Sequence, residues 1–501
     1  MPIPIFNTVA SFFLKRRITQ IDLFKNYPIE VQHEVLRKLV VYCIDTEIGK
    51  KYDFKSIDSY NDFKNRVPIV SYEDIFSDIE RNRKGEQNIF WRTPVKWFAK
   101  SSGTTNAKSK FIPISFESLE DCHYKAGKDM LSLYFNNNPN SQLLAGKCLR
   151  LGGSRDIYEK HSSYYGDLSA IIIDNLPFWA ELSSTPSSKV SLISEWEEKV
   201  EAIISESLNQ KVTSFAGVPS WMLSLLQQVI IKTGKTNILD VWQDCEVYFH
   251  GGVSFDPYRS LYKNLFPSSD FKYFEIYNAS EGFFAIQDQN NSKELLLMLD
   301  YGIFYEFIPT KGSERDIISL ADVQLNTSYA IVITTNSGLW RYKIGDTIKF
   351  TSLNPYRIKV SGRTKHFINV FGEEVIIDNT EKALAKVSLK TGCTISNYTV
   401  GPIFMKEKTK GSHEWIIEFE KEPKDLNHFA KLLDEELQTV NSDYEAKRYK
   451  NMTLFPLKLN KAKKGLFYNW LSKKGKLGGQ NKVPRLSNNR EFLDELIKLN
   501  N

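Results

Sequence analysis

The chain has 501 residues, 42% of them hydrophobic, 25% charged and 13% aromatic, and a net charge of +6. At roughly 100–200 residues per domain this is too long for one compact core, so two to four units, or one large unit with an appendage, are expected. The composition excludes a disordered, collagen-like or disulfide-stapled chain.

Five cysteines stand singly at Cys43, Cys122, Cys148, Cys245 and Cys393. With no CxxC pair they argue against zinc-ribbon and dithiol chemistry, and they fit a reducing compartment. No stretch approaches the roughly 18 consecutive apolar residues of a membrane span. Residues 1–14 read as an amphipathic starting helix, because the basic cluster Lys15-Arg16-Arg17 follows the apolar part. A signal peptide puts its charges first. A cytoplasmic protein is expected.

In chain order, Pro28 opens a helix carrying Val31, Val35, Leu39 and Cys43 at helical spacing, and Ser71 to Ile79 starts another. Val95–Ala99 and Phe111–Ile114 read as short strands, and Ser115 caps a long helix through about Phe135. Buried strands are expected at Ala170–Ile173, Val212–Phe215, Val247–Phe249, Tyr273–Tyr277, Gly302–Phe307 and Ala330–Thr334, with helices at Val190–Leu208 and Ser220–Thr233. This alternation predicts α/β layers around a mostly parallel sheet.

From Arg357 the texture changes. Strands at Ile358–Val360, Phe367–Val370, Glu374–Ile376, Tyr398–Phe404 and His413–Phe419 interleave with helices at Thr380–Leu389 and Leu426–Val440. That rhythm suits a small α+β unit. The Gly- and base-containing stretch Ser361–Lys365 lies at the boundary and reads as a hinge. The expected organisation is therefore residues 1–360, a hinge at 361–365, and a smaller mobile unit at 366–501.

Four short motifs carry chemistry. Ser101-Ser102-Gly103-Thr104-Thr105, followed by Lys108 and Lys110, lies between two strands. Its backbone N–H groups can wrap an anion, its hydroxyls can donate to phosphate oxygens, and its lysines supply charge. It is not a Walker A loop, since GxxxxGK[ST] is lacking and a strand follows it. Gly251-Gly252 follows a strand that ends in His250, and permits close approach to the backbone. Tyr277-Asn278-Ala279-Ser280-Glu281-Gly282 also ends a strand, where open α/β sheets bind ligands. Glu281 can hold Mg²⁺ through one or two carboxylate oxygens, or it can sit in the first turn of a helix. Asp346, after Gly345, is placed to accept from two vicinal hydroxyls, or it is a surface turn. His250 reads as a structural histidine more readily than as a base.

Between Ala446 and Arg490 there are 13 Lys/Arg and no Asp/Glu, so the rest of this +6 chain carries −7. The segment is either a solvated surface or one that meets an anion.

Taken in order, the Ser-Ser-Gly-Thr-Thr loop, the Gly-Gly, the Tyr-x-x-Ser-Glu, the Arg341-Tyr-x-x-Gly-Asp and the Gly362-Arg363 hinge resemble the adenylate-forming superfamily. Phe304–Pro309, Trp340–Asp346 and Gln480–Arg485 narrow the resemblance to the auxin-responsive GH-three family of acyl-acid amido synthetases. The motifs run from about residue 100 to 486. Trp340 stands where that family usually has Tyr, Asn278-Ala279 replaces a small pair, and Asn481 replaces an aromatic before Lys482.

The resemblance implies a large N-terminal adenylate-forming domain of mixed sheets and helices, and a smaller mobile α+β domain behind it. It implies activation of a carboxylic acid with MgATP as an acyl-adenylate, which is then joined to the amine of an amino acid. By that resemblance Ser101, Ser102, Gly103, Thr104, Thr105 and Lys108 hold the triphosphate, with Lys110 able to take the place of Lys108. Gly251 and Gly252 border the adenine, and Tyr277 and Ser280 flank the nucleotide or acyl group. Glu281 meets Mg²⁺, Asp346 binds ribose, and Arg363, at the hinge, also contacts the ATP. Lys482 swings in to contact phosphates. Val218, Trp221 and Phe178 form walls for the acid. His123, His161 and His250 are the candidates for a base.

A thiol-accepting ligase of the coenzyme A type is the alternative within the superfamily. A nucleic-acid-binding protein is the alternative outside it, with Tyr449, Phe455, Phe467, Tyr468 and Trp470 interleaved among the basic residues. No RNA-binding signature accompanies them, and no nucleic-acid partner is expected.

Overall fold

The structure, a computed structural model, describes residues 16–102, 109–152, 157–176, 178–193, 196–255, 258–363, 367–406, 409–451, 453–474 and 483–501. The predicted helix over residues 1–14 lies outside them.

A twelve-stranded sheet forms the frame. Five of its strands are parallel: Ser184–Thr185, Lys147–Arg150, Val212–Gly217, Val247–His250 and Lys272–Ala279 pair side by side in the same direction. Val212–Phe215 and Val247–His250 are buried without alternation, as strands covered on both faces should be. From Lys272–Ala279 onward every neighbour is antiparallel, through Gly282–Ile286, Leu295–Leu297, Tyr356–Arg363, Tyr342–Leu353, Ser328–Thr335 and Ile303–Pro309 to Ile318–Ser319. The expected mostly parallel sheet is thus a mixed one. In its second half the strands follow one another through short turns, which leave no room for crossover helices.

A four-stranded sheet lies beside it, in the order Ser109–Ile114, Trp97–Ser102, Ser163–Gly166, Tyr158–Lys160. Helices fill the layers. Pro28–Tyr42 starts with proline in its first turn, where no N–H is needed, and buries Leu36, Leu39 and Val40. Pro219–Thr233 ends on Gly234 at φ +66. Two expected elements differ. The isoleucine run at Ala170–Ile173 is part of the helix Leu168–Asp174, not a strand. Its β-branched residues favour a strand locally, but Leu168, Ala170, Ile171 and Ile173 are buried in the helical form, and packing decides. The helix expected over Val190–Leu208 occurs as two, Ser188–Ser191 and Trp196–Ser207.

The C-terminal part is the expected α+β unit. Thr394–Ile403, Ser412–Lys421 and Lys458–Lys461 form a three-stranded sheet with helices on both faces. The pleat sorts the contacts: Trp415, Ile417 and Phe419 join the cluster of Val387 and Leu433, whereas Ile416 joins Leu466, Trp470 and Leu496. The first cluster continues into the large sheet's helices, and Ser220 and Tyr258 donate hydrogen bonds to the carbonyls of Phe371 and Val370 at 3.0 and 2.6 Å. The strand Tyr356–Arg363 belongs entirely to the large sheet.

Candidate active site

The edges of these layers enclose a cleft of about 1660 Å³. Its lining brings together residues that are far apart in sequence: Ser101, Val218, Trp221, Gly251, Gly252, Tyr277, Ser280, Glu281 and Asp346 from the large unit, and Glu374, Asp443, Lys447 and Asn488 from the smaller one.

Each is placed by local backbone chemistry. Lys272–Ala279 and Gly282–Ile286 form a tight hairpin with Ala279 opposite Gly282, so Ser280 and Glu281 occupy the turn. Glu281 is therefore at a hairpin tip and not in a first helical turn. Gly251 follows the neighbouring strand, where a Cβ would come within 2.5 Å of the Ile276 carbonyl oxygen. The glycine is demanded by strand proximity as well as by any ligand. Gly252 has φ +82, a conformation that favours glycine. Asp346 lies within the strand Tyr342–Leu353, not in a surface turn. The pairing with Ser328–Thr335 slips between Val332 and Ala330, making a bulge over Ile344–Asp346, and Gly345 has φ +88. Such a bulge re-aims the side chain that follows it. The Tyr277 hydroxyl donates to Asp346 Oδ2 at 2.7 Å, with both side chains largely buried. The two residues act as one unit on the cleft wall.

Burial pushes the Glu281 carboxyl above its ordinary range. Lys110 draws it back, while Asp346 and Glu374 push it further up. Such a group gains from a cation. Ser101 pairs with Lys110 across Trp97–Ser102 and Ser109–Ile114, which sets Lys110 at the cleft. Gly103, Thr104, Thr105, Lys108 and Lys482 lie outside the described residues, as do the side chains of Ser102, Phe178 and Arg363. The residues described hold no group of three His, Cys, Asp or Glu arranged for a metal ion. One or two carboxylates completed by phosphates and water is what Mg²⁺ ordinarily uses, and Glu281 fits that role.

Of the three histidines considered as a base, only His123 lines the cleft. It lies in a π-helical turn, Leu119–Tyr124, a feature frequent at functional sites. Burial lowers its imidazole to about 4, so it is neutral near pH 7, and its Nδ1 has no hydrogen-bond partner. His250 is stacked 4.0 Å from Phe255 and lowered to about 3 by burial and then by Arg259, consistent with a structural role. His161 is exposed in a hairpin turn. The sequence reading named His123 but missed Gly127 and Met130, which follow it on one face of a helix at spacings of four and three. A Cβ on Gly127 would meet nothing within 4 Å. With Leu168, Ile172 and Phe283 this face makes one apolar stretch of the cleft wall. The helical period alone could have indicated it.

Three motif residues turn out to be scaffold. Arg341 and Glu306 are buried, 3% and 1% exposed, and joined by two bonds of 2.8 Å. Arg341 also donates to the carbonyls of Lys64 and Val67, and Glu306 accepts from the Tyr60 hydroxyl. Trp340 is packed near Phe54 and Phe63 and donates to the Phe90 carbonyl.

The acid-free segment is not a bare cationic face. Arg448 is paired with Asp434, Lys458 and Arg490 with Glu414, Lys461 with Glu422, and Lys474 with Glu495. Phe467 and Trp470 are core residues; Tyr449, Phe455 and Tyr468 are exposed. No described helix is long and apolar enough to cross a membrane.

Among solved structures, the GH3.15 acyl acid amido synthetase has a TM-score of 0.62 at 18% identity, covering 97% of this chain and 96% of that one. A 2-hydroxyisobutyryl-CoA ligase has a TM-score of 0.55 at 14% identity, covering 94% and 91%. Family models match consecutively: the GH3 family N-terminal domain at residues 17–271, its central domain at 296–363 and its C-terminal domain at 378–491. The chain belongs to the GH3 family. Relatives include the indole-3-acetic acid-amido synthetase GH3.4 of Arabidopsis thaliana, 23% identical over 91% of this chain and 89% of that protein. The 4-substituted benzoates-glutamate ligase GH3.12 of the same plant is 23% identical over 96% of each.

Proposed function

We propose that this protein is an ATP-dependent acid–amino acid ligase. The observation that carries this reading is the convergence of Ser101, Lys110, Tyr277, Glu281 and Asp346 on one cleft, in a chain of this family. A carboxylate oxygen of the acid attacks the α-phosphorus of ATP and pyrophosphate leaves. The amine of the acceptor then attacks the acyl carbon, its proton goes to water or a base, and AMP leaves.

The Tyr277–Asp346 pair accepts the ribose hydroxyls, and Ser101, Lys110, Lys108 and Lys482 meet the phosphates. Mg²⁺ held by Glu281 would offset the repulsion between two anions. The acid lies along His123, Gly127 and Met130, facing Leu168, Ile172 and Phe283. Val218 and Trp221 lie farther along the cleft. The smaller unit, residues 366–501, acts as a lid on the 361–365 hinge, which excludes water from an adenylate that water would destroy. The isolated cysteines fit a reducing, cytoplasmic setting.

The test is pyrophosphate release with MgATP and pooled aryl and aliphatic carboxylic acids, with and without pooled amino acids. Acid-dependent release with an amide product by mass spectrometry is expected. Release without an amide, restored by coenzyme A as a thioester, would assign the thiol-accepting alternative instead.

A further inference from the structure

Lys447 is 8% exposed and lines the cleft. Its ammonium lies 4.5 Å from the centroid of the Trp221 ring. Among the described residues it has no carboxylate within ion-pair distance. Its chain neighbour Arg448, by contrast, is fully engaged with Asp434. The backbone carbonyl of Lys447 accepts from the N–H groups of Thr453 and Leu454, which fixes the root of the side chain. Gly372, at φ +87, lies against the other end: a Cβ there would come within 3.2 Å of Lys447 Cε and 3.6 Å of Nζ. The lysine is thus clamped between an indole face and a glycine. A buried ammonium costs free energy unless an anion meets it, and an aromatic face compensates only part of that cost.

We infer that Lys447 binds the α-carboxylate of the acceptor amino acid. The site offers one point charge and a flat apolar neighbour, which suits a singly charged carboxylate beside an amino-acid side chain. A triphosphate needs several donors, and Ser101 and Lys110 stand on the strand pair that leads to the expected phosphate loop. Lys447 reaches the cleft from the smaller unit, past Trp221, whereas the nucleoside pair Tyr277–Asp346 belongs to the large sheet. The inference rests on the ligase reading above and adds the group that makes the acceptor an amino acid and not a simple amine.

The experiment compares each accepted amino acid with its decarboxylated amine, in the wild type and in Lys447→Met and Lys447→Arg. Acid-dependent ATP–pyrophosphate exchange is followed separately. The wild type should prefer the amino acid by at least tenfold in kcat/KM. Lys447→Met should raise the amino acid's KM by about tenfold to a hundredfold, the loss of one charge-assisted hydrogen bond, and should abolish the preference over the amine. Lys447→Arg should recover part of it. Equal use of amine and amino acid by the wild type overturns the inference, whatever the variants do. So does a Lys447→Met enzyme that keeps the preference, or one whose exchange reaction and ATP KM carry the loss, since the bound anion would then be a phosphate. Absence of any acid-dependent exchange in the wild type overturns the ligase reading itself, and this inference with it.

Discussion

Removing Arg341 should destabilise the protein without removing a ligand contact. The substitution Arg341→Met leaves the Glu306 carboxylate, 1% exposed, with only the Tyr60 hydroxyl at 2.9 Å, and it frees the carbonyls of Lys64 and Val67. Breaking a buried pair from one side costs about 3–5 kcal/mol. Replacing both partners removes the uncompensated charge. The double variant Arg341→Met/Glu306→Leu should therefore lie within about 1–2 kcal/mol of wild type, the remainder being the Tyr60 hydroxyl and the two carbonyls left without partners. Urea denaturation of wild type, both single variants and the double variant gives the cycle, and a coupling of at least about 2 kcal/mol is expected. ATP binding to the double variant, by calorimetry, should remain within a few-fold of wild type. Single and double variants of equal stability would refute the buried-pair argument. A stable double variant that had lost ATP would show that the guanidinium meets the nucleotide.

Tyr277→Phe keeps the ring and deletes the donor to Asp346; the KM for ATP should rise several-fold, with little change in the KM for the acid, in steady-state assays. Glu281, whose carboxyl is raised by burial, favours the folded state while it is protonated. The ligand-free protein should lose stability as pH climbs through the Glu281 pKa, Glu281→Gln should lack that loss, and MgATP should restore the wild type, all measurable as thermal midpoints. Glu414 shows the opposite sign: burial alone would raise it, but Lys458, Asn460 and Arg490 hold it below its ordinary value. Glu414→Gln should cost about 1–3 kcal/mol at pH 7, and the difference from wild type should vanish as pH falls through the carboxylate range in urea titrations.

Much of the site was legible because its motifs are local. Tyr277–Glu281 and Gly345-Asp346 end in a hairpin turn and a bulge whose residue types declare themselves. The Leu426–Val440 helix was readable for the same reason, its apolar period being complete within one element. What escaped depended on partners remote in sequence. Ala170–Ile173 is helical because of what it packs against. The direction of strands after Gly282 depends on which edges they find, not on their own residues. Gly127 and Met130, beside His123, look like an ordinary amphipathic face until the opposite wall is present.

The motifs also mix two kinds of residue that sequence cannot separate. In Trp340–Asp346, the tryptophan and arginine are spent on the frame, and the aspartate five residues after Arg341 faces the cleft. The physical link between them is the bulge. Arg341, bonded to Glu306 and to the carbonyls of Lys64 and Val67 at the end of the helix Tyr60–Arg66, stands just before the strand begins. The extra residue around Gly345 then rotates Asp346 into contact with Tyr277. Residues of both kinds stand side by side in one short stretch, so both look like a signature. The same logic applies to the acid-free C-terminal run. Its excess of positive charge suggests a surface for polyanions, yet Glu414, Asp434 and Glu495 neutralise much of it from other elements. Lys447 differs from these paired cations in its position on Trp221. A basic segment is therefore best judged by which of its charges the fold has left for a ligand, and that depends on tertiary neighbours rather than on how many cations the run contains.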